Sequence, residues 1–483
     1  MAAENCPPPT NRDGDHCLGL VVPELPCDHA VAYGDMVSIQ GNRGGPLVVR
    51  VNVRDIVEAE VHGENSSSWP WVVVLTASLL LSFAHRGLLG VLVTPIEHDL
   101  LLNDFQMGAV QGPAYAIMFA ISSVAFGRIA DIWRRRELLV VGMCIWTAGA
   151  FLGAFAHGFA SLVSARMLTG AGMAAVIPIS VAIIGDAFPP EKRGLAYGVF
   201  MAGGPLGDVL AVVAGGLLLS LAERSALSGI SSLASWRQVT LVGAAAVLPL
   251  IIFTMCLSEP RRRTDARALE LEAEGDGSPR YLIRNWRIYL PYALSLAVGA
   301  VGGAASYWMP EVMRRTFDLR ADQISEAYGT TLMVSSMAGA AVGMIAGKLS
   351  ANPLRGFLIA STAYTLVAFG FLSFLSASLP LMLASTGFYV VVDSTIAVVL
   401  TNTVQAMIPS GLRGTVAALE QFCGTMVGYS IGQPLVGYVS DAWMRGPRGL
   451  GNAVMAIMVP TMLAAATLLY IANRQISRPN VPV

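Results

Sequence analysis

A chain of 483 residues that is 54% hydrophobic and only 13% charged does not read as a soluble domain, in which charged residues usually make up about 25%. Its formal net charge of −1 gives no footprint for nucleic acid, and its six cysteines form no disulfide framework. The apolar excess falls in runs of roughly 18–27 residues, long enough for helices that cross the ~30 Å hydrocarbon core.

Residues 1–68 are polar and open without the basic and apolar stretches of a secretory signal. They are expected to be a disordered cytoplasmic tail. Cys6, Cys17, Cys27, His16 and His29 lie here at spacings that match no zinc site, so no metal is expected. A stretch from Val48 alternates like a strand without an obvious partner, and Asn65-Ser66-Ser67 is a formal sequon that a cytoplasmic tail would leave unused.

Twelve spans follow, at roughly 70–94, 106–127, 137–157, 160–186, 194–221, 238–257, 288–312, 328–349, 356–377, 380–407, 414–439 and 450–473. They group into an N-terminal bundle, 69–257, and a C-terminal bundle, 288–474, joined by a charged loop, 258–287, and followed by a short tail, 475–483. The second bundle repeats the first. Gly127, Arg135 and Arg193 have counterparts at Gly347, Arg355 and Arg413, and the subtractions 347 − 127, 355 − 135 and 413 − 193 each give 220. A duplicated bundle of this kind is the architecture of a carrier whose halves rock about a central site.

Lysine and arginine concentrate in the connections after the even-numbered spans: Arg134, Arg135, Arg136, Lys192, Arg193, Arg261–Arg263, Lys348, Arg355 and Arg413. By the positive-inside rule those loops, and both termini, are cytoplasmic in a multi-pass protein of the cell membrane.

Several loops and spans carry recognisable patterns. After span 2 the run from Gly127 to Arg136 reads GRIADIWRRR. It resembles the loop signature G-x-L-x-D-R-x-G-R-R of the major facilitator superfamily. Gly127 allows close helix crossing, Asp131 suits a helix N-terminus or an arginine, and Arg135 and Arg136 suit acids across a gate, so together they form a conformational latch. The second copy keeps Gly347 and Arg355 but has Ala351 in place of the acid, which weakens it. In span 4 the run RMLTGAG from Arg166 resembles the family pattern R-x-x-x-G-x-G. Span 7 ends with Gly302, Gly303, Trp308, Pro310 and Arg314 in an arrangement similar to Spinster-like members.

The resemblance covers about residues 70–473 and implies an all-α integral membrane protein, with twelve transmembrane helices in two pseudo-symmetric six-helix bundles. It also implies that spans 1, 4, 7 and 10 line the cavity. His85, Arg86, Arg166, Tyr307, Trp308 and Asp393 are then expected near substrate, with two arginines favouring an anionic group. Tyr115, Tyr389, Met173 and Met309 are expected either to add aromatic and apolar surface or to pack as core.

Two departures from that type stand out. His85 precedes Arg86 where Asp is usual, and Met173 stands where a glutamate is usual. Proton coupling therefore cannot be carried over directly. Asp208, Asp393, Glu420 and His85 are the buried ionisable groups that remain to supply it.

No catalytic motif appears. The run GMIAGKLS has one residue too few between its glycines for a phosphate loop and Leu349 after its lysine. The expected function is that of a monomeric secondary carrier, without cofactor, moving a small amphiphilic or anionic solute across the bilayer, with protons as the candidate coupling ion. The alternative is a transport-inactive sensor that keeps the carrier fold.

Overall fold

Inside a bilayer no water is available to satisfy the peptide groups, so each apolar run must close its hydrogen bonds on itself as a helix. The computed structural model follows that rule. It describes residues 68–224, 233–260, 280–350, 352–372, 378–408 and most of 412–477, together with three short strands near the N-terminus. Ala351, Arg413, Arg261–Arg263, the sequon, the N-terminal cysteines and histidines and residues 478–483 lie outside the described residues.

Residues 1–67 and 68–483 are separate compact units. Within the first, the strand-like stretch finds a partner. β1 (Ala32–Tyr33), β2 (Met36–Val37) and β3 (Val51–Asn52) pair antiparallel in that order.

In the second unit eleven described helices are long and apolar enough to span a bilayer. They are α1 (Trp69–Val91), α2 (Asp104–Ile132), α3 (Arg135–Ala154), α4 (Phe159–Ala187), α5 (Glu191–Glu223), α6 (Ser235–Cys256), α7 (Trp286–Phe317), α8 (Ala321–Leu349), α9 (Pro353–Phe371), α10 (Leu379–Met407) and α12 (Gly449–Ile476). Between the last two lies α11 (Ser430–Trp443), entered through a π turn at Cys423–Tyr429. The bundle is therefore all-helical, as its sequence indicates.

The duplication is visible in the packing. α2 packs on α4 as α8 packs on α10; α3 packs on α4 and α6 as α9 packs on α10 and α12; α1 packs on α5 as α7 packs on α11. The halves meet along two equivalent seams, α2 against α11 and α5 against α8. Large apolar side chains such as Ile121, Leu217, Phe253, Met344 and Phe369 are exposed on the perimeter, the place for lipid.

Small residues set the helix spacing, since lipid supplies no hydrophobic force to press helices together. At the α3–α4 crossing, a Cβ on Gly172 would fall 2.5 Å from the Gly142 carbonyl oxygen and 2.7 Å from Trp146 Cα, both backbone atoms that cannot step aside. Gly172→Leu is therefore expected to cost at least ~2 kcal/mol and lower the melting temperature in detergent. Gly127→Ala is the contrast, because nothing lies within 4 Å of its Cβ position. That change should be neutral or stabilising by about 0.5–1 kcal/mol through helix propensity. Equal destabilisation of both variants would contradict this account of the crossing.

Three breaks in helical phase bear on the site. α2 bends at Gly112, α7 passes through a 3₁₀ turn at Ser306–Trp308, and α11 is preceded by the π turn. Each rotates the residues beyond it relative to a regular helix.

Candidate functional site

Call the side of the bundle carrying Gly127–Arg136 and Gly347–Arg355 the latch face, and the opposite side the far face. Between the halves lies a cavity of about 530 Å³, within the range that holds drug-sized molecules. Its wall is built from α1, α5, α7, α8, α9, α10 and the α11 segment.

At mid-depth the 3₁₀ turn of α7 projects Tyr307 across the cavity toward α1. Arg86 donates through Nη2 to the Tyr307 hydroxyl at 2.5 Å and to Asp208 Oδ1 at 3.3 Å. Tyr429 donates its hydroxyl to Tyr307 at 2.9 Å, and Tyr307 in turn donates to Asp208 at 3.4 Å. The guanidinium carbon of Arg86 also lies 4.1 Å from the Phe83 ring centre, 5.1 Å from that of Tyr429 and 5.3 Å from that of Tyr307. One cation is thus held by one carboxylate and three aromatic faces, a neutral network spanning both halves.

On the C-terminal side, Tyr389 and Asp393 stand four residues apart on α10, so they share one helix face in the cavity wall. Deeper toward the latch face, Glu420 accepts a hydrogen bond from the Tyr292 hydroxyl. Tyr328 and Tyr364 complete an aromatic lining.

The remaining sequence candidates take other places. His85 is 5% exposed and meets Trp146 edge-on at 6.0 Å, outside the cavity wall. Arg166 is also buried outside that wall. Its Cζ lies 5.5 Å from the Tyr115 ring centre, and its guanidinium nitrogens have no hydrogen-bond partner among the described residues. The expectation of two arginines facing one cavity is corrected to one, Arg86. Trp308 points backward into the C-terminal core and donates to the Gln433 carbonyl at 3.2 Å, so its neighbour Tyr307 takes the cavity position. Tyr115, Met173 and Met309 are core, whereas Tyr389 lines the cavity. Sequence reasoning did not single out Phe83, Tyr292, Tyr328, Tyr364 or Tyr429 as lining residues. Only the i, i+4 spacing of Tyr389 and Asp393 could have pointed to a shared face.

Arg135 and Arg136 find their partners in the N-terminal half and the loop that follows it. Arg135 pairs with Asp186, and its backbone N–H donates to Glu259 at 2.6 Å. Arg136 donates to the Leu257 carbonyl at 3.0 Å rather than to an acid across a gate. Gly347 packs against Asn402 and Val398 of α10, while Arg355 is exposed. Asp131 is exposed and engaged in an interaction.

The far face is sealed by charge. A capping box between Asn103 and Gln106 starts α2 and fixes Asp104 in its first turn. Arg315 of α7 reaches Asp104 and Glu97 at 2.8 Å each and Glu311 at 2.6 Å. Thr94 donates to Glu311 at 2.5 Å, Ser440 to Asp104 at 2.7 Å, and the Phe105 backbone to Asp441 at 2.9 Å. Ser325 donates to the Val212 carbonyl at 3.0 Å on the second seam. Burial pushes the Glu97 carboxyl up to about 9; Asp104 and Glu311 add to that push and Arg315 opposes it.

Two duplicated bundles enclosing a cavity between them have the architecture of a membrane transport protein. The Major Facilitator Superfamily model matches residues 74–432. The chain belongs to that superfamily. It is 24% identical to an MFS-type efflux pump of Mycolicibacterium smegmatis, over 88% of this chain and 96% of that protein. It is 23% identical to the sphingosine-1-phosphate transporter of Danio rerio, over 76% of this chain and 75% of that protein. Among solved structures, a bacterial homolog to the human lysosomal transporter Spinster, in an inward-facing and unoccupied conformation, superposes with a TM-score of 0.72. The identity there is 19%, over 85% of this chain and 98% of that one.

Proposed function

We propose that this protein is a secondary active transporter of the cell membrane that moves a small amphiphilic solute by alternating access. The latch face and both termini are taken as cytoplasmic, following the lysine and arginine distribution. The observation that carries the reading is the cavity: polar and aromatic at mid-depth, closed at the far face by the Arg315 cluster, with solvent-exposed Asp393 and Thr401 along its latch-side wall. Relatives named as an efflux pump and as a sphingosine-1-phosphate transporter support an amphiphile as cargo. Protons are the candidate coupling ion, with Asp208, Asp393 and Glu420 the cavity carboxylates available to carry them.

Proteoliposomes test this. Phe105→Cys with Asp441→Cys, in a background without the six native cysteines, places one thiol on each side of the far-face seam. Gradient-driven flux of a fluorescent amphiphile should stop when a short bifunctional thiol reagent bridges the seam and resume when a cleavable bridge is cut. Undiminished flux through the bridged protein would rule out alternating access about this cavity.

A further inference from the structure

We infer that the transport site selects an organic cation, a protonated amine or onium group carried on a flat apolar body, and that Asp393 is its charge partner. The inference rests on the cavity reading above and narrows its cargo.

The charge count comes first. The cavity wall holds three carboxylates, Asp208, Asp393 and Glu420, and one cation, Arg86. Arg86 and Asp208 already neutralise each other at 3.3 Å. Glu420 receives the Tyr292 hydroxyl. Asp393 has neither an ion pair nor a hydrogen bond among the described residues, yet its side chain is exposed to the cavity. Including Arg166, buried behind the wall, still leaves more carboxylate than cation. An anion would meet that surplus and find Arg86 taken.

The second point is shape. The Arg86 nest shows what this wall does with a positive charge: one carboxylate on one side and aromatic faces around the rest. The C-terminal wall offers the same kinds of residue. Tyr389 shares the α10 face with Asp393, and Tyr364 of α9 lines the same cavity. The guanidinium is what this second nest lacks. A cation over tyrosine faces beside a carboxylate gains from both. Because most of the cavity wall is apolar or aromatic, an added flat body is buried at the same time.

The test compares two probes of one shape and opposite charge, tetraphenylphosphonium and tetraphenylborate, on the purified full-length protein in nanodiscs of uncharged lipid. Empty nanodiscs correct for partition. Tetraphenylphosphonium is expected to bind at least tenfold tighter than tetraphenylborate. Asp393→Asn should weaken the cation by about tenfold or more without weakening the anion, which loses a repelling charge, while Asp393→Glu should restore cation binding and so exclude misfolding as the cause. Equal or tighter binding of tetraphenylborate, or unaltered cation binding in Asp393→Asn, overturns the inference. The readout separates it from the carrier reading: bridge-sensitive flux of an anionic amphiphile would sink the charge preference alone, whereas cation binding with bridge-insensitive flux would sink alternating access alone.

Discussion

Arg315→Ala is expected to open the far face. The arginine is the one basic residue in ion-pair contact with Glu97, Asp104 and Glu311 among the described residues, and the side chains of Asp104 and Glu311 are only 6% and 1% exposed. Removing one partner of a buried ion pair typically costs about 3–5 kcal/mol, because the other charge stays desolvated. Alternating access offers an escape that a rigid core lacks: parting the halves along the α2–α11 seam would let water reach the carboxylates. The variant should therefore melt earlier and shift toward the far-open state. A gap of about 3 kcal/mol corresponds to roughly a hundredfold in the open-to-closed ratio. Labelling of a thiol placed by Asp441→Cys should rise accordingly. Arg315→Lys should fall between, since an ammonium cannot copy the forked contacts. Adding Asp104→Asn to Arg315→Ala should restore part of the loss, as coupled sites do. A variant with wild-type melting and labelling would show that the cluster does not hold the seam.

The same cluster is expected to make the far face pH-sensitive. In the closed seal burial lifts the Glu97 carboxyl from its ordinary 4.5 to about 9, with Arg315 the opposing charge and Asp104 and Glu311 the reinforcing ones. In a water-filled open seam it returns toward its ordinary value. Between those limits the closed state binds more protons than the open one. Its stabilisation by that proton is fully present below pH 4.5 and is lost as pH rises to about 9. The slope is at most ~1.4 kcal/mol per pH unit, and solvent entering the seam reduces it. Far-face thiol labelling, divided at each pH by the reactivity of a free thiol, should accordingly increase between pH 6 and pH 9 by about tenfold or more. Glu97→Gln, permanently neutral, should flatten the profile with the seal still closed. A profile in Glu97→Gln as steep as in the parent would assign the titration to another group.

Much of this was legible in the chain. Most span boundaries read from apolar runs fall within a few residues of the helices: the expected 160–186 and 380–407 became Phe159–Ala187 and Leu379–Met407, whereas 328–349 starts earlier, at Ala321, and of 414–439 the regular helix is Ser430–Trp443, beyond a π turn. Hydrophobic length is a local property and needs no knowledge of neighbours. The candidate site was legible only in part. Arg86, Asp208, Asp393 and Glu420 line the cavity, because a charge inside a span has few places to go except inward. Trp308 and Arg166 do not line it, although both lie in the right spans.

The physical reason is helical phase and the choice between two polar interiors. A 3₁₀ turn at Ser306–Trp308 sends Tyr307 forward and Trp308 back, and a π turn at Cys423–Tyr429 brings Tyr429 to the wall. A regular 3.6-residue count foresees neither shift. His85 and Arg166 went into the core of the N-terminal half, where Trp146 and Tyr115 receive them. The sequence by itself determined the membrane, the duplication and the family, since hydrophobic length, the 220-residue offset and loop charges are written in one dimension. Only the tertiary structure decided which charges neutralise one another, which face is sealed and which carboxylate is left for a guest, because those depend on distances across helices far apart in the chain.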